Sequence, residues 1–173
     1  MFERLLIAGS GGQGSVLIGK LLATAAVRTI PHVTFFPSYG AEVRGGASSC
    51  QVMLSSSPIA SPLAALFDSL ILMNQTSVDA YIRSRHPDSL VLLNSSLCQP
   101  PAGAVVTTIP ATDEAVAMGD PRVTNLILLG AYCARKPMVG VELIEACLAD
   151  LLKERHAELI DINLAAFRKG LTL

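Results

Sequence analysis

Short apolar runs alternate with longer amphipathic segments along the whole chain. Six runs have the length and composition of strands, and they lie at Arg4–Ala8, His32–Pro37, Ser49–Leu54, Ser69–Asn74, Ser89–Asn94 and Ala104–Ile109. Five segments have helical spacing, at Gly12–Thr29, Thr76–Arg85, Arg122–Lys136, Val141–Arg155 and Glu158–Arg168. This alternation predicts a three-layer α/β/α fold whose first strand and turn are Rossmann-like. The sheet should have about six strands and be mostly parallel, with a mixed sheet as the alternative.

Length and hydropathy indicate one domain with a large apolar surface to bury. The chain has 173 residues and no repeat or linker, so we expect a single domain over residues 1–173. Its composition is 51% hydrophobic and its mean hydropathy is +0.50, which is high for a soluble monomer. The longest apolar stretch, Leu126–Ala134, is far shorter than the roughly 18 to 20 residues of a membrane helix. The excess of apolar residues therefore belongs to a covered parallel-sheet core, to the interface of an obligate subunit, or to both.

Charge and cysteine spacing argue against several classes of function. The net charge is −1 with dispersed Lys and Arg, so we expect neither a nucleic-acid partner nor a membrane surface. The first residues do not resemble a signal peptide. The cysteines stand far apart without a C-x-x-C motif, which disfavours a disulfide framework, a zinc site or an iron–sulfur cluster held by this chain alone; they are Cys50, Cys98, Cys133 and Cys147. We expect buried thiols in a reducing cytoplasm and no metal site.

The first strand opens directly into a glycine-rich turn at residues 9–14, which read GSGGQG. Gly9, Gly11 and Gly14 fit G-x-G-x-x-G between a strand and a helix, where backbone N–H groups can approach an anion. A dinucleotide site also needs an acid roughly 20 residues further on, at the end of the second strand. Residues 31–38 contain none, so NAD binding is disfavoured. The turn is then an anion-binding nest or a tight connection with nothing bound, and Gln13 could cap the helix or donate to the anion.

A second cluster of chemical groups follows the second strand, where residues 37–46 read PSYGAEVRGG. The Arg44 guanidinium can grip phosphate or carboxylate at two points, and Tyr39 offers a flat ring with a polar tip. Glu42 and Arg44 could instead simply pair with each other or with backbone groups. Ligands of open α/β sheets bind at the carboxyl ends of strands. We therefore expect this loop and the glycine turn to lie at neighbouring tips and to frame a recess that other polypeptides complete.

The candidate residues for binding an anion, or for lining the recess, come from these two segments. They are Gly9, Gly11, Gly12, Gln13, Gly14, Ser38, Tyr39, Glu42, Arg44, Gly45 and Gly46, with Asn74, Gln75 and Asn125 as secondary candidates. No catalytic residue is assigned, because the three histidines stand apart beside Pro or charged residues. Asp113 and Glu114 are expected at a helix start, where they offset the dipole. Asn125, in an apolar helix, should bond to a neighbouring loop or to a partner chain.

Together the two motifs closely resemble those of the gamma subunit of 2-oxoacid:ferredoxin oxidoreductases, the family that acts on pyruvate, 2-oxoglutarate or ketoisovalerate. The similarity covers nearly the whole chain. It continues through Asn74-Gln75, Pro110-Ala111-Thr112, the N-x-x-x-L-G segment at residues 125–130, Asn163 and Gly170. One departure is Ala41, where the family often has proline.

The resemblance implies a subunit of an enzyme that oxidatively decarboxylates a 2-oxoacid, joins the acyl group to coenzyme A and passes electrons to ferredoxin. Thiamine diphosphate, magnesium and iron–sulfur clusters are then expected on partner subunits, alpha and beta, with delta where the complex has one. Gly119-Asp120-Pro121 is the string most similar to a G-D-G…N diphosphate motif, and its third residue is wrong. We expect this chain to hold no cofactor alone, to be inactive in isolation and to self-associate there. The overall pattern favours 2-oxoglutarate, and coenzyme A is the natural anion for the turn.

Two alternatives remain open at this point. A stand-alone nucleotide- or coenzyme-A-binding module could use the same glycine turn. The beta-type subunit of indolepyruvate oxidoreductase similarly carries R-G-G in its loop but usually lacks the S-Y-G-x-E lead-in at residues 38–42 of this chain.

Overall fold

The computed structural model describes residues 1–40, 46–154 and 156–173. The strands are β1 (Phe2–Ser10), β2 (His32–Tyr39), β3 (Ala47–Ser55), β4 (Phe67–Leu72), β5 (Arg85–Asn94) and β6 (Thr107–Ile109). The α-helices are α1 (Ser15–Ala26), α2 (Gln75–Tyr81), α3 (Ala111–Ala117), α4 (Thr124–Arg135), α5 (Val141–Leu152) and α6 (Ile160–Leu171). Short 3₁₀ turns at Pro121–Val123 and Ala157–Leu159 precede α4 and α6.

The strands form one mixed, mostly parallel sheet in the order β2-β3-β1-β4-β5-β6. β1, β4, β5 and β6 pair in parallel, whereas β3 is antiparallel to both of its neighbours, β1 and β2. The physical reason for the reversal is the short connection over residues 40–46, because a parallel crossover needs about a dozen residues or more. The expected fold class is therefore confirmed, in its mixed form.

Alternating side chains of the strands build a core on each face of the sheet. Leu5 and Ile7 of β1 pack with α1, α4, α5 and α6 on one face, whereas Leu6 and Ala8 pack on the other face around Val78 of α2. The two layers are unequal. The first contains most of the buried side chains, and the second combines one short helix with the segment that follows β3. No helix in the described ranges is both long and apolar enough to cross a bilayer.

All six predicted strands are present, but several predicted boundaries are wrong. α1 begins at Ser15 rather than Gly12 because Gly12 and Gly14 adopt positive φ, and α2 ends at Tyr81 because β5 begins at Arg85. The sequence predicted a helix start at Asp113 and Glu114 but no range for α3, which has only seven residues and therefore shows barely two turns of periodicity. Asp113 and Glu114 do lie in its first turn, as expected.

A buried carboxylate ties three elements together at the amino end of β1. Glu3 is 3% exposed. It accepts hydrogen bonds from Ser69 of β4 and from Tyr132 of α4. Lys136, just after α4, lies 3.4 Å from its second oxygen. These three polar partners offset the free-energy cost of burying the carboxylate. The cluster lies at the edge of the sheet opposite to the glycine turn.

Candidate functional site

The glycine turn joins β1 to α1 through two residues in the left-handed region. Gly12 has a φ of +96° and Gly14 a φ of +78°, conformations that L side chains rarely adopt. Gly14 is the N-cap of α1 and no side chain caps this helix. The first N–H groups of the helix therefore have no intrahelical acceptor, as at any uncapped start.

The side chain of Gln13 folds back under the turn instead of capping α1. Its Oε1 accepts a hydrogen bond from the Ser10 N–H at 2.7 Å and another from Asn74 Nδ2 at 3.0 Å. A Cβ on Gly9 would lie 2.7 Å from this oxygen, which explains the first glycine of the motif. The suggestion that Gln13 caps the helix is wrong, because its acceptor is already used within the turn.

The end of the loop after β2 reaches the glycine turn because β3 runs back beside β1. Ser10 and Ala47 are register partners in the ladder, and the Gly11 N–H donates to the Gly46 carbonyl at 2.8 Å. At the start of the loop, the Gly40 N–H donates to the Ala47 carbonyl at 2.7 Å. The two tips are thus neighbours on one edge of the sheet, as expected from the sequence.

Between these tips and α2 lies a cavity of about 550 Å³, which we call the serine recess. Its walls are mainly glycines and hydroxyl-bearing side chains from β1, β3 and α2. The described lining residues are Gly9, Ser10, Gly40, Gly46, Ala47, Ser48, Ser49, Thr76, Ser77, Ala80 and Tyr81. None of these is a carboxylate, a histidine or a cationic residue. The described walls can donate and accept hydrogen bonds, but they offer no strong general acid or base.

Ser48 lines the recess, but its side chain lies on the opposite, α1 face of the sheet. The Ser15 hydroxyl, buried at the start of α1, bonds both the carbonyl and the hydroxyl of Ser48 at 3.1 Å. Sequence reasoning missed the serines of β3 and the hydroxyls of α2. The available signal was weak: polar residues at 48 and 49 open an otherwise apolar strand, and three hydroxyl groups fall within residues 76–81.

Ser38 and Tyr39, from the loop segment, do not line the recess, and neither do Gly11, Gly12, Gln13 and Gly14 of the glycine turn. Ser38 and Tyr39 end β2 and are exposed, and Tyr39 is 69% exposed without lining the cavity. Tyr39 is the register partner of Ser48, so its side chain belongs to the α1 face, whereas the recess opens on the α2 face. Glu42, Arg44 and Gly45, together with Ala41 and Val43, lie outside the described residues.

A smaller recess of about 250 Å³ lies on the α4 side of the glycine turn. It is lined by Gly12, Gln13, Met73, Leu97, Thr112, Pro121, Arg122 and Thr124. Arg122 was not predicted. It makes a two-point pair with Asp120, with Nη2 2.6 Å from Oδ2 and Nε 2.9 Å from Oδ1. Hydrogen bonds from the Arg122 side chain and backbone lower the pKa of Asp120, so both groups stay charged and paired.

The three secondary candidates are structural supports of the turn and of α2. Asn125, 3% exposed, packs over Gly14 and donates to its carbonyl at 3.4 Å, so it bonds to a neighbouring loop as expected. Gln75 donates to Asp79 and accepts from the Gln99 N–H, both at 2.9 Å. Asn74 caps α2, and its Nδ2 reaches Ser10 at 2.5 Å.

The donor sets of the described residues do not fit a metal ion or a cluster. No group of three or more His, Cys, Asp or Glu side chains within the described ranges could hold a metal. The four cysteines are free and buried. Burial raises the pKa of Cys50 and of Cys133 to about 12, so both remain thiols rather than thiolate ligands.

Comparison with known proteins extends over almost the entire chain. Residues 4–173 match the family model described as pyruvate ferredoxin/flavodoxin oxidoreductase. The 2-oxoglutarate synthase subunit KorC of Methanocaldococcus jannaschii is 31% identical over 98% of this chain and 92% of its own length. The ketoisovalerate oxidoreductase subunit VorA of Methanothermobacter thermautotrophicus is 33% identical over 96% of this chain. The chain spans only 35% of that relative's length.

Solved structures confirm the fold. A keto/oxoacid ferredoxin oxidoreductase gamma subunit from Geobacter sulfurreducens superposes with a TM-score of 0.81 at 26% identity, covering 99% of this chain and 95% of the other. The 2-oxoglutarate:ferredoxin oxidoreductase of Magnetococcus marinus, determined with 2-oxoglutarate, coenzyme A and succinyl-CoA bound, gives a TM-score of 0.88 at 24% identity. That match covers 99% of this chain and 30% of the other.

Proposed function

The chain belongs to the pyruvate ferredoxin/flavodoxin oxidoreductase family as a gamma-type member, and we propose that it works as the gamma subunit of a multi-subunit 2-oxoacid:ferredoxin oxidoreductase. The assembled enzyme would convert a 2-oxoacid and coenzyme A into acyl-CoA and carbon dioxide. The two electrons released would go to ferredoxin. The partners would be alpha and beta subunits, with a delta subunit where the complex has one.

The observation that carries the proposal is the serine recess. Two turns that are far apart in sequence meet there through the Gly11–Gly46 hydrogen bond and leave a cavity walled by hydroxyl groups. Hydroxyls and backbone N–H groups suit a ligand with many oxygen acceptors, and coenzyme A is such a ligand in this enzyme class. The structure of the Magnetococcus relative was determined with coenzyme A bound. We therefore assign to this chain the binding of part of coenzyme A.

The chain's own residues would bind and orient, and partner subunits would perform the chemistry. Asp120, the acid in the string most similar to a diphosphate motif, pairs with Arg122 and caps a 3₁₀ turn. The described cysteines are separate buried thiols. Thiamine diphosphate and iron–sulfur clusters therefore belong on the partners in this proposal. The gamma chain would hold coenzyme A and shield the acyl group from water while transfer takes place.

Among the possible substrates we propose 2-oxoglutarate. The chain matches a KorC subunit from end to end, whereas it matches only about a third of the VorA chain, whose length implies a different division of the enzyme into polypeptides. Ketoisovalerate is the competing substrate, since the VorA identity is 33% against 31%.

Affinity purification of the chain from its native cells tests the proposal. We expect alpha and beta partners in equal amounts, 2-oxoglutarate-dependent reduction of a dye by the complex, and no turnover by the chain purified alone. Rates of dye reduction with pyruvate, 2-oxoglutarate, ketoisovalerate and indolepyruvate then show which 2-oxoacid the complex oxidises. A chain that purifies alone with a bound nucleotide would point to the stand-alone module, and indolepyruvate turnover would point to the other relative.

A further inference from the structure

Asn74 connects three separate elements through one side-chain amide. It lies between β4 and α2, and its Nδ2 donates to Ser10 Oγ at 2.5 Å and to Gln13 Oε1 at 3.0 Å. Its Oδ1 accepts from the Ser77 N–H at 2.8 Å, which caps α2. The main hydrogen-bonding capacity of the amide is therefore used within the protein.

The side chain of Asn74 lines neither recess, yet each of its partners lines one. Ser10 and Ser77 lie on opposite walls of the serine recess, and Gln13 lies in the smaller one. Because a single planar amide sets all three contacts, it also sets the spacing between the glycine turn and the start of α2. These are the two walls that a ligand in the serine recess would touch.

Only an amide can satisfy this arrangement. Gln13 Oε1 must be an oxygen, because it already accepts the Ser10 N–H at 2.7 Å. The atom of residue 74 that faces it must therefore be a donor, while the atom facing Ser77 must be an acceptor. An aspartate would keep the cap but would place one oxygen against another beneath the turn.

We propose that Asn74 is the positioning residue of the serine recess: it fixes the glycine turn against α2 in the geometry that binds coenzyme A. The role in coenzyme A binding depends on the proposed function. The three hydrogen bonds by which Asn74 holds the glycine turn against α2, which we call the clamp, do not depend on it. Asn74 contacts no reacting group, so its loss would change binding of coenzyme A rather than the chemical step.

The test compares Asn74→Asp with Asn163→Asp in the assembled complex, using hydrogen–deuterium exchange and steady-state kinetics. Asn163 is a matched control, because its Nδ2 donates to the Leu159 carbonyl at 2.7 Å in α6, far from the recess. Asn74→Asp should speed exchange in the glycine-turn peptide at least roughly fivefold without coenzyme A, with α2 unchanged, since loss of one hydrogen bond is worth about 1 kcal/mol. It should raise the KM for coenzyme A about tenfold with kcat nearly unchanged.

Each result separates the clamp from the proposed function. Unchanged exchange in the glycine turn, or equal acceleration in α2, would overturn the clamp. Faster exchange with an unchanged KM would overturn the role in coenzyme A binding, as would a wild-type complex in which coenzyme A fails to protect the turn and the start of α2. If Asn74→Asp does not assemble, Asn74→Ser, which also keeps a cap but lacks the amide donors, should give the same two changes.

Discussion

At the scale of single residues, the turn requires glycine at positions 12 and 14 for different physical reasons. A Cβ on Gly14 would overlap the Asn125 amide, and its φ of +78° is unfavourable for any other residue. Gly12 has a φ of +96°, but a Cβ there would meet nothing within 4 Å. Gly12 is therefore restricted by its backbone conformation alone, and Gly14 by its conformation and by packing against Asn125.

These two glycines form a matched pair of substitutions. Gly12→Ala should destabilise the chain by about 1–2 kcal/mol through backbone strain alone. Gly14→Ala should cost at least about 1 kcal/mol more, because Asn125 must leave its hydrogen bond with the Gly14 carbonyl. Urea unfolding of the purified variants measures both values. Equal losses would mean that the Asn125 contact adds nothing.

At the scale of elements, α4 and α6 cross at two glycines that lack room for a methyl group. A Cβ on Gly130 would overlap the Phe167 carbonyl oxygen, and a Cβ on Gly170 would overlap the Ile127 carbonyl oxygen. The backbones therefore approach closely, and this contact joins the C-terminal helix to the buried helix over the sheet. Both glycines belong to the sequence pattern through which the chain resembles its family.

Replacing either glycine should push the two helices apart. In an exposed helix, Gly→Ala usually stabilises by roughly 0.5–1 kcal/mol, whereas Gly130→Ala and Gly170→Ala should each destabilise by about 1–3 kcal/mol. The double variant should lose less than the two single losses added together, because one displacement relieves both overlaps. Thermal unfolding of the three variants measures this, and a gain in stability for either single variant would contradict the close crossing.

An ion pair between α5 and α6 gives a prediction about pH. The Arg168 guanidinium bonds Glu145 at 2.7 Å and 3.0 Å and holds the pKa of this carboxyl below its usual 4.5. A carboxyl with a lowered folded pKa stabilises above the unfolded pKa and loses this contribution as the pH falls. The wild type should therefore exceed Glu145→Gln by up to about 1 kcal/mol at pH 7, with the gap closing below pH 4.5. A constant gap from pH 7 to pH 3 would exclude this linkage.

The elements also indicate what can be learned from sequence. The four inner strands, β3, β1, β4 and β5, were predictable because their apolar runs are buried on both faces of the sheet. The edge strands β2 and β6 have few buried residues and were predictable from their β-branched and aromatic composition. The direction of β3 was left open, since it depends on the length of one connection rather than on the strand itself. The serine recess was harder to predict. Its hydroxyl groups come mainly from β3 and α2. Strand register and capping contacts, such as that of Asn74, bring these elements to the glycine turn, and such contacts leave no local pattern in the sequence.

At the scale of the whole molecule, the buried Glu3 cluster and the serine recess lie at opposite edges of the sheet in the described part of the chain. The carboxyl-terminal edge holds the two turns and the serine recess. Large apolar side chains also remain exposed on the face that α2 covers only in part, among them Phe2 at 49% and Leu63 at 54%. This distribution agrees with a subunit that contributes a binding surface to a larger assembly.

Calorimetric titration of coenzyme A into the assembled complex, comparing Ala80→Trp with Ala146→Trp, tests the central claim most directly. Both alanines are exposed on helices, but only Ala80 lines the serine recess. An indole at position 80 would occupy part of the cavity, so the Kd should rise at least about tenfold, whereas Ala146→Trp should bind as the wild type does. Equal affinity in all three proteins would mean that coenzyme A does not occupy the recess framed by the two turns.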